Sequence, residues 1–465
     1  MNSRLEHLKH LDWRRYLPSV MVLGVLGASS LLGSRATPRL VFLVAAGLVG
    51  TISFIWLTRH IEWGLPALVL VTFLVPFGLG TGTQTSINMS ILLILLLLGV
   101  WIGRMLVIER HVILVPSLAN LPALLFMVAV LLSFFASSLP WIPEISARAS
   151  TFSQIGGLLM LILPIGILLL VGNLLRKEIW LRVLVWFFLG LGSLYLVGCL
   201  LPGGTLITGL INFSSVRALF FVWMTALSGG MLLFNNGLKR RQRWLFAGLL
   251  TLPLVVSLGL MRANASNWVP SLIVLAVLFS IRWWRLGALF VLMGGASLVL
   301  RYAQIYQFLF RTEQYSAMTR AATWPIMAQL VKASPLLGLG PSNYYFYTSH
   351  FSLLGYYVQF NSHNNYWDLA AQVGLLGLGL FLWLAYTLGR IAWRLRRRAL
   401  PGFQRGYVHA ALAGLVGTLA AGMLADWFMP FTYNIGFEGF RSAVFAWLFL
   451  GGLIALERIN AQGEN

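Results

Sequence analysis

The sequence predicts an all-α, polytopic transmembrane bundle of about 12–14 spans, with a helical extracytoplasmic loop subdomain late in the chain. Three observations predict it. Hydrophobic residues make up 59% of the chain and charged residues only 10%, with a mean hydropathy of +0.83; a soluble domain carries about 25% charge. Windows of roughly 20 apolar residues recur along the chain, each long enough for a hydrocarbon core of about 30 Å. They lack the period-2 alternation of barrel strands, so helices must satisfy the backbone. Finally, every second loop is basic.

With the N-terminus taken as cytoplasmic, fourteen spans are read: Leu17–Gly33, Leu40–Leu57, Leu65–Leu79, Ile87–Val107, Leu118–Ser138, Ile155–Val171, Leu181–Leu201, Phe213–Phe234, Leu245–Leu260, Trp268–Ile281, Leu286–Val299, Tyr366–Leu388, Tyr407–Ala425 and Phe437–Leu456. The cytoplasmic segments then hold 23 of the 33 Lys and Arg residues, which is the positive-inside pattern. Most of the net charge of +21 is therefore topology, and no nucleic acid is expected as a partner. Leu65–Leu79 and Trp268–Ile281 are short, so one of them is a candidate re-entrant segment. Arg14 and Arg15 before the first span resemble an export signal, but further spans follow, and an orientation signal explains them better. The lone Cys199 lies within a span, which leaves no disulfide framework or thiolate metal cluster.

Three segments follow from this reading: an N-terminal bundle of about 11 spans over 1–301, a large extracytoplasmic loop over 302–365, and C-terminal helices with a cytoplasmic tail over 366–465. The loop carries Arg311, Arg320 and Lys332, an aromatic run from Tyr344 to Tyr347, and the turn Gly338-Leu339-Gly340-Pro341. Met318 to Lys332 reads as an amphipathic helix, interrupted or restarted at Pro325. Its Met318, Ala322, Met327, Leu330 and Val331 are expected on the membrane surface. The Gly-X-Gly follows no strand and belongs to no Walker pattern, so no nucleotide site is read.

Ser362-His363-Asn364-Asn365 sits at the start of the span beginning at Tyr366, with Asp368 in the first turn. These are cap-type residues, and a carboxylate there complements the helix dipole. The positive pole of the helix disfavours imidazolium, keeping His363 neutral, and it attracts anions such as phosphate. Arg217 and Arg262 lie at helix ends on the side that the charge pattern depletes, flanked by small residues. A charge near hydrocarbon is costly, and such placement marks a cavity or a partner more than a snorkelling anchor. Carboxylates on this side are scattered, so no metal or other cofactor is expected. Arginines with one histidine suit an anionic, phosphate-bearing substrate whose leaving group is neutralised by guanidinium groups.

Arg320-Ala-Ala-Thr-Trp324, Pro335-Leu-Leu-Gly338-Leu-Gly340, His363-Asn364-Asn365-Tyr366 and Gly374-Leu-Leu-Gly377 together resemble the signature block of the O-antigen ligase and polymerase superfamily. About sixty residues match at motif level, and the first two hundred resemble the family in hydropathy alone. Met261-Arg262-Ala263 departs from the family's Ser-Arg-Gly-like turn around its arginine. The resemblance implies a GT-C-like bacterial inner-membrane enzyme with its active site on the extracytoplasmic side. Its activity would be metal-independent, inverting transfer of a glycan from undecaprenyl diphosphate to an acceptor hydroxyl on lipid A core or another lipid or glycan. It implies further that Arg217, Arg262 and Arg320 grip the diphosphate and that His363 acts on or positions the acceptor. Arg311, Asn364 and Tyr366 would add contacts to donor or glycan. Two alternatives stay open at this point: a repeat-unit polymerase of the same superfamily, and a transporter, since some relatives were once considered bicarbonate transporters. A transporter calls for mid-membrane charges and paired broken helices, which the apolar spans do not offer.

Overall fold

The computed structural model describes residues 56–80, 86–145, 147–300 and 314–463. The first predicted span, nearly all of the second, and Arg311 lie outside them. Of the unit Met1–His60, the described part is a helical turn over 56–59. The unit from Ile61 onward is almost entirely helical.

Its first helix, α1 (Gly64–Leu74), continues a 3-10 turn at Ile61–Trp63 and stops five residues before the predicted span end. Eleven residues rise only about 16 Å, too little to cross a bilayer core. The chain turns instead into a small antiparallel ribbon, β1 (Gly78–Gly80) with β2 (Ser86–Asn88). Asn88 then caps α2 (Met89–Gly103) by accepting from Ile91 N at 3.1 Å. Next come α3 (Asn120–Ala136), α4 (Thr151–Leu174), α5 (Glu178–Leu200), α6 (Ala218–Phe234), α7 (Arg240–Val255), α8 (Ala265–Arg282) and α9 (Trp284–Leu300). A loop helix α10 (Gln314–Ala333) precedes the last three, α11 (Asn365–Arg398), α12 (Phe403–Leu424) and α13 (Gly436–Gly463). Eight helices among the described residues are long and apolar enough to cross a membrane, as a multi-pass membrane protein requires. Trp268–Ile281, suspected as re-entrant, belongs to one of them.

Helix α13 is the axis of the bundle, buried on every side through its apolar stretch. Lipid tails are as apolar as Leu, so helices associate through close packing instead of water exclusion. Small residues provide that closeness. At the α4–α13 seam a Cβ on Gly172 would stand 2.7 Å from Ile454, and one on Gly451 2.7 Å from Val171. At the α6–α12 seam Gly230 faces Ala410 and Gly414 faces the ring of Trp223. These contacts set α6 antiparallel to α12, with Arg217 toward the Leu424 end.

The two ends of the bundle differ in chemistry. One gathers basic segments: Arg394 pairs with Glu457 at 2.8 Å, Gln404 donates to Glu178 at 2.8 Å, and Arg458 reaches Asn173 O at 3.2 Å. The opposite end holds the start of α11, the end of α12, and the loop between α12 and α13. The described residues singled out from the sequence lie there.

Candidate functional site

The site is built on an interlock between a loop and a broken helix. Inside α11, Gly374 adopts φ 74°, a left-handed conformation that interrupts the helical hydrogen-bond ladder. The segment after α10 fills the gap with its own backbone. Leu339 N donates to Ala371 O at 2.8 Å, Gly340 N to Gln372 O at 3.0 Å, and Leu375 N to Pro335 O at 2.7 Å. Gly338 and Gly340 also have positive φ, and a Cβ on Gly338 would overlap the Gln372 and Gly374 backbone. The two glycine motifs read separately from the sequence are thus one joint.

That joint fixes α10 over the start of α11. Met327, Leu330 and Val331 are buried against Tyr344, Tyr347, Ala371 and Phe431. This corrects the expectation that they lie on the membrane surface: α11 and the α12–α13 loop supply the apolar partner that lipid was expected to supply. Ala322 packs at the edge of this cluster, and Met318 alone of the five is well exposed. Pro325 does not restart the helix, which runs through it.

At the N-terminus of α11 the cap residue is Asn364, whose Oδ1 accepts from Tyr366 N at 2.9 Å. Its Nδ2 donates to Met423 O at 3.3 Å, and Tyr366 OH donates to Leu419 O at 2.8 Å. Asn365 brackets the next loop, donating to Met429 O at 2.7 Å and accepting from Phe428 N at 3.0 Å. Asn364 and Tyr366, taken from the sequence as substrate contacts, here spend these polar atoms on tying α11 to α12. Beneath the cap, buried Asp368 accepts from Ser362 Oγ at 2.7 Å and from Tyr344 OH. Burial, and then the neighbouring carboxylate, push the Tyr344 phenol well above its ordinary range.

His363 stands one residue before the cap, at φ 49°. A non-glycine residue there is uncommon and costs of order 1–3 kcal/mol; the Ser362 and Asn364 bonds on either side hold it. Its Nδ1 lies 3.4 Å from Asn434 Nδ2, which also donates to Asp426 Oδ1. Asp426 is fully buried, and its Oδ2 accepts from Phe431 N at 2.7 Å. A carboxylate can only accept, so it fixes the Asn434 amide with the NH2 group toward both partners. His363 Nδ1 is then the acceptor, and the ring proton sits on Nε2.

Arg320 completes the group. Its Nη1 donates to Leu424 O at 3.3 Å, a free carbonyl at the C-terminus of α12. Its charge reaches both His363 and Asp426. Burial first, and Arg320 second, push the His363 imidazole down to about 4. Burial pushes Asp426 up to about 6, against the pull of Phe431 N–H, Asn434 and Arg320. The expected neutrality of the ring therefore has a different main cause from the helix dipole.

Arg217 and Arg262 lie toward the same end of the bundle, in surroundings of their own. Arg217 precedes α6, half-buried, with its guanidinium 4.7 Å from the Phe213 ring. Arg262 is exposed in the turn between α7 and α8, and its carbonyl accepts from Trp268 Nε1 at 3.1 Å. The structure brings together Arg320, His363 and Asn364. Asp426 and Asn434, the partners that orient His363, were not among the residues chosen from the sequence. Beside Asn434 opens a groove of about 800 Å³, lined by Tyr345, Phe346 and Tyr433 and by Ile155 and Leu159 of α4.

No family model matches this chain, and no curated protein matches it either. Its function is argued from the chemistry of the site.

Proposed function

We propose that the protein is a membrane glycosyltransferase of the O-antigen ligase type, moving a glycan from undecaprenyl diphosphate to an acceptor hydroxyl at the outer face of a bacterial inner membrane. The observation that carries this reading is the pairing of Arg320 with an oriented, neutral His363 at one end of a membrane-spanning bundle. In the transfer the acceptor oxygen forms a bond to the anomeric carbon while the bond from that carbon to the diphosphate oxygen breaks, from opposite faces. The electron pair leaves with the diphosphate, where Arg320 offsets the growing charge. A ring whose free side is Nε2–H is suited to hold the acceptor oxygen by hydrogen bond, with the hydroxyl proton lost to water. His363 then acts as a positioning donor more than as a base, because a group near pKa 4 gives little driving force for proton abstraction at neutral pH.

Purified protein in lipid nanodiscs, given an undecaprenyl-diphosphate-linked glycan and a lipid acceptor, is expected to release undecaprenyl diphosphate with chelator present. Arg320→Lys should lower that release about tenfold or more, since an ammonium lacks the guanidinium fork. Absence of release with every donor and acceptor pair tried, or release dependent on an added divalent ion, would refute the reading. In cells, a deletion that accumulates lipid-linked polymer marks a ligase, and one that leaves single repeat units marks a polymerase.

A further inference from the structure

The groove beside Asn434 is not explained by the diphosphate chemistry, because among the described residues that line it the one charged side chain is an acid, Glu438. Its carboxylate is built in. Oε2 accepts from Arg441 Nε at 2.8 Å, and the Arg441 side chain is fully buried while that of Glu438 stays 37% exposed. Arg441 is anchored in turn by Thr72 O at 3.4 Å, in the last turn of α1, and by Phe77 O at 3.3 Å, just past its end. Arg441 thus has its charge spent on Glu438 and on backbone carbonyls, and the acid faces the groove from a rigid seat.

The same groove is lined by aromatic rings. Tyr345 and Tyr433 stack at 4.7 Å and 11°, and Phe346 meets Tyr433 edge-on at 5.4 Å. Flat aromatic faces bind the C–H faces of sugar rings, and carboxylates and amides accept from their hydroxyls; Gln359 supplies an amide. The remaining wall, Ile155 and Leu159, belongs to a membrane-crossing helix and suits a lipid tail.

We infer that this groove seats the sugar of the acceptor glycolipid, and that Glu438 selects a neutral or amino sugar there over an acidic or phosphorylated one. The assignment rests on the transfer reading above. His363 has Arg320 near it and, reached through Asn434, a groove to which the neutral Glu438–Arg441 pair turns its negative end, since Arg441 is fully buried and Glu438 is not. A diphosphate finds a guanidinium at the first and the carboxylate end of an ion pair at the second, so donor and acceptor are sorted by polarity.

Saturation-transfer NMR on the full-length protein in nanodiscs tests it with three probes of one size: chitotriose bearing N-acetyl groups, its fully deacetylated amino form, and trigalacturonate. The amino and neutral trisaccharides are expected to bind, and trigalacturonate at least tenfold more weakly. Tyr433→Leu should weaken both bound sugars about tenfold, while Tyr433→Phe, which keeps the stack, should hold them. Glu438→Gln should erase the preference for the amino form, and Glu438→Lys should admit trigalacturonate. Binding of trigalacturonate equal to the others in the unaltered protein, indifference to Glu438→Gln, or no binding of any probe would overturn the assignment. The transfer assay separates the two ideas. Normal transfer with no effect of the Glu438 and Tyr433 variants removes the groove and spares the enzyme. Sugar binding with the expected charge ranking but no transfer leaves a sugar groove, and overturns its assignment as an acceptor seat together with the transferase.

Discussion

Asn434 Nδ2 stands 3.4 Å from His363 Nδ1 and also donates to Asp426, so a loop residue 71 positions away sets which nitrogen of the histidine carries the proton. The ring proton is directed to Nε2. That turns a candidate base into a donor, and the two roles give different results on substitution.

A glutamine side chain places its amide N–H about where Nε2–H of a histidine lies, and it cannot act as a base. His363→Gln is therefore expected to retain transfer within about tenfold of the unaltered protein. His363→Ala should lose about 10²–10³-fold, the usual cost of removing one positioned donor. His363→Asn keeps a residue that tolerates φ 49° but shortens the reach, and it should resemble Ala in rate while matching the parent in thermal stability. Glutamine as inactive as alanine, with normal expression, would return His363 to the role of base.

Asn434 and Asp426 act through His363 and not on the substrate. Asn434→Leu keeps the volume and removes the amide, so the imidazole loses its fixed tautomer. The expected outcome is a fall in kcat of about 10–10²-fold with KM for the lipid-linked donor little changed. A change confined to KM would place Asn434 in direct contact with substrate. Asp426→Asn leaves the buried site uncharged but allows the Asn434 amide to flip, and it should follow the same pattern to a smaller degree.

The pH dependence separates the groups further. His363 is lowered from an ordinary value near 6.5 to about 4, so its neutral form persists on acidification until about pH 4. Its contribution to stability is complete above about pH 6.5 and is lost as pH falls through 4, because in that window the unfolded chain binds the proton and the folded one does not. Asp426 shifts the other way, from 3.8 to about 6. Its Oδ2 accepts from Phe431 N and its Oδ1 from Asn434, so a proton taken up on the Asn434 side of Oδ1 displaces that amide. The acid limb of kcat/KM is expected near pH 6 and reports Asp426 together with its buried neighbour Asp368, which feels its charge; in Asp426→Asn the limb should move away from 6. A limb that stays near 6 in that variant would assign it to another group.

Sidedness is checked apart from catalysis. His350 is exposed at the polar end of the bundle. In a Cys199→Ser background, His350→Cys should react with a membrane-impermeant maleimide in intact cells, and Arg398→Cys only after permeabilisation. The reverse would invert the topology and move the site inside.

Helix positions were legible because apolar length and basic loops are local signals: each of the twelve spans read within the described residues falls on a helix, and eight of the described helices are long and apolar enough to cross a membrane. The ends were less legible: α11 and α13 run to Arg398 and Gly463, well past the predicted Leu388 and Leu456, and the ribbon cuts Leu65–Leu79 short. His363 was legible for the same reason, since Ser362-His363-Asn364 announces a helix start. What orients His363 was not. Asp426 and Asn434 lie eight residues apart in a short loop, with no pattern that distinguishes them from any polar loop residues until α12 and α13 fold them against the α11 cap. The surface-lying face of α10 failed for a related reason: Met327, Leu330 and Val331 form an apolar stripe, and a stripe does not say whether lipid or protein covers it.

The interlock at Gly338 and Gly374 gives the last prediction, on stability instead of rate. Both residues have positive φ, and a Cβ on either would overlap backbone that cannot swing aside: Gln372 and Gly374 for Gly338, Leu336 for Gly374. Gly338→Ala must therefore break the bonds from Leu339 N to Ala371 O and from Gly340 N to Gln372 O, or hold alanine in strained geometry. A left-handed alanine alone costs of order 1–3 kcal/mol, and the lost joint adds to it. Gly379 supplies the control, since it lies five residues along the same helix and a Cβ there meets nothing within 4 Å. In a regular helical turn, Gly→Ala gains about 1 kcal/mol. Thermal unfolding of the detergent-solubilised protein should show Gly338→Ala and Gly374→Ala well below the parent in Tm, and Gly379→Ala at or above it. If Gly338→Ala unfolds with the parent, the loop does not brace the broken helix, and the seat of His363 must be held by the Asn365 bonds to the α12–α13 loop alone.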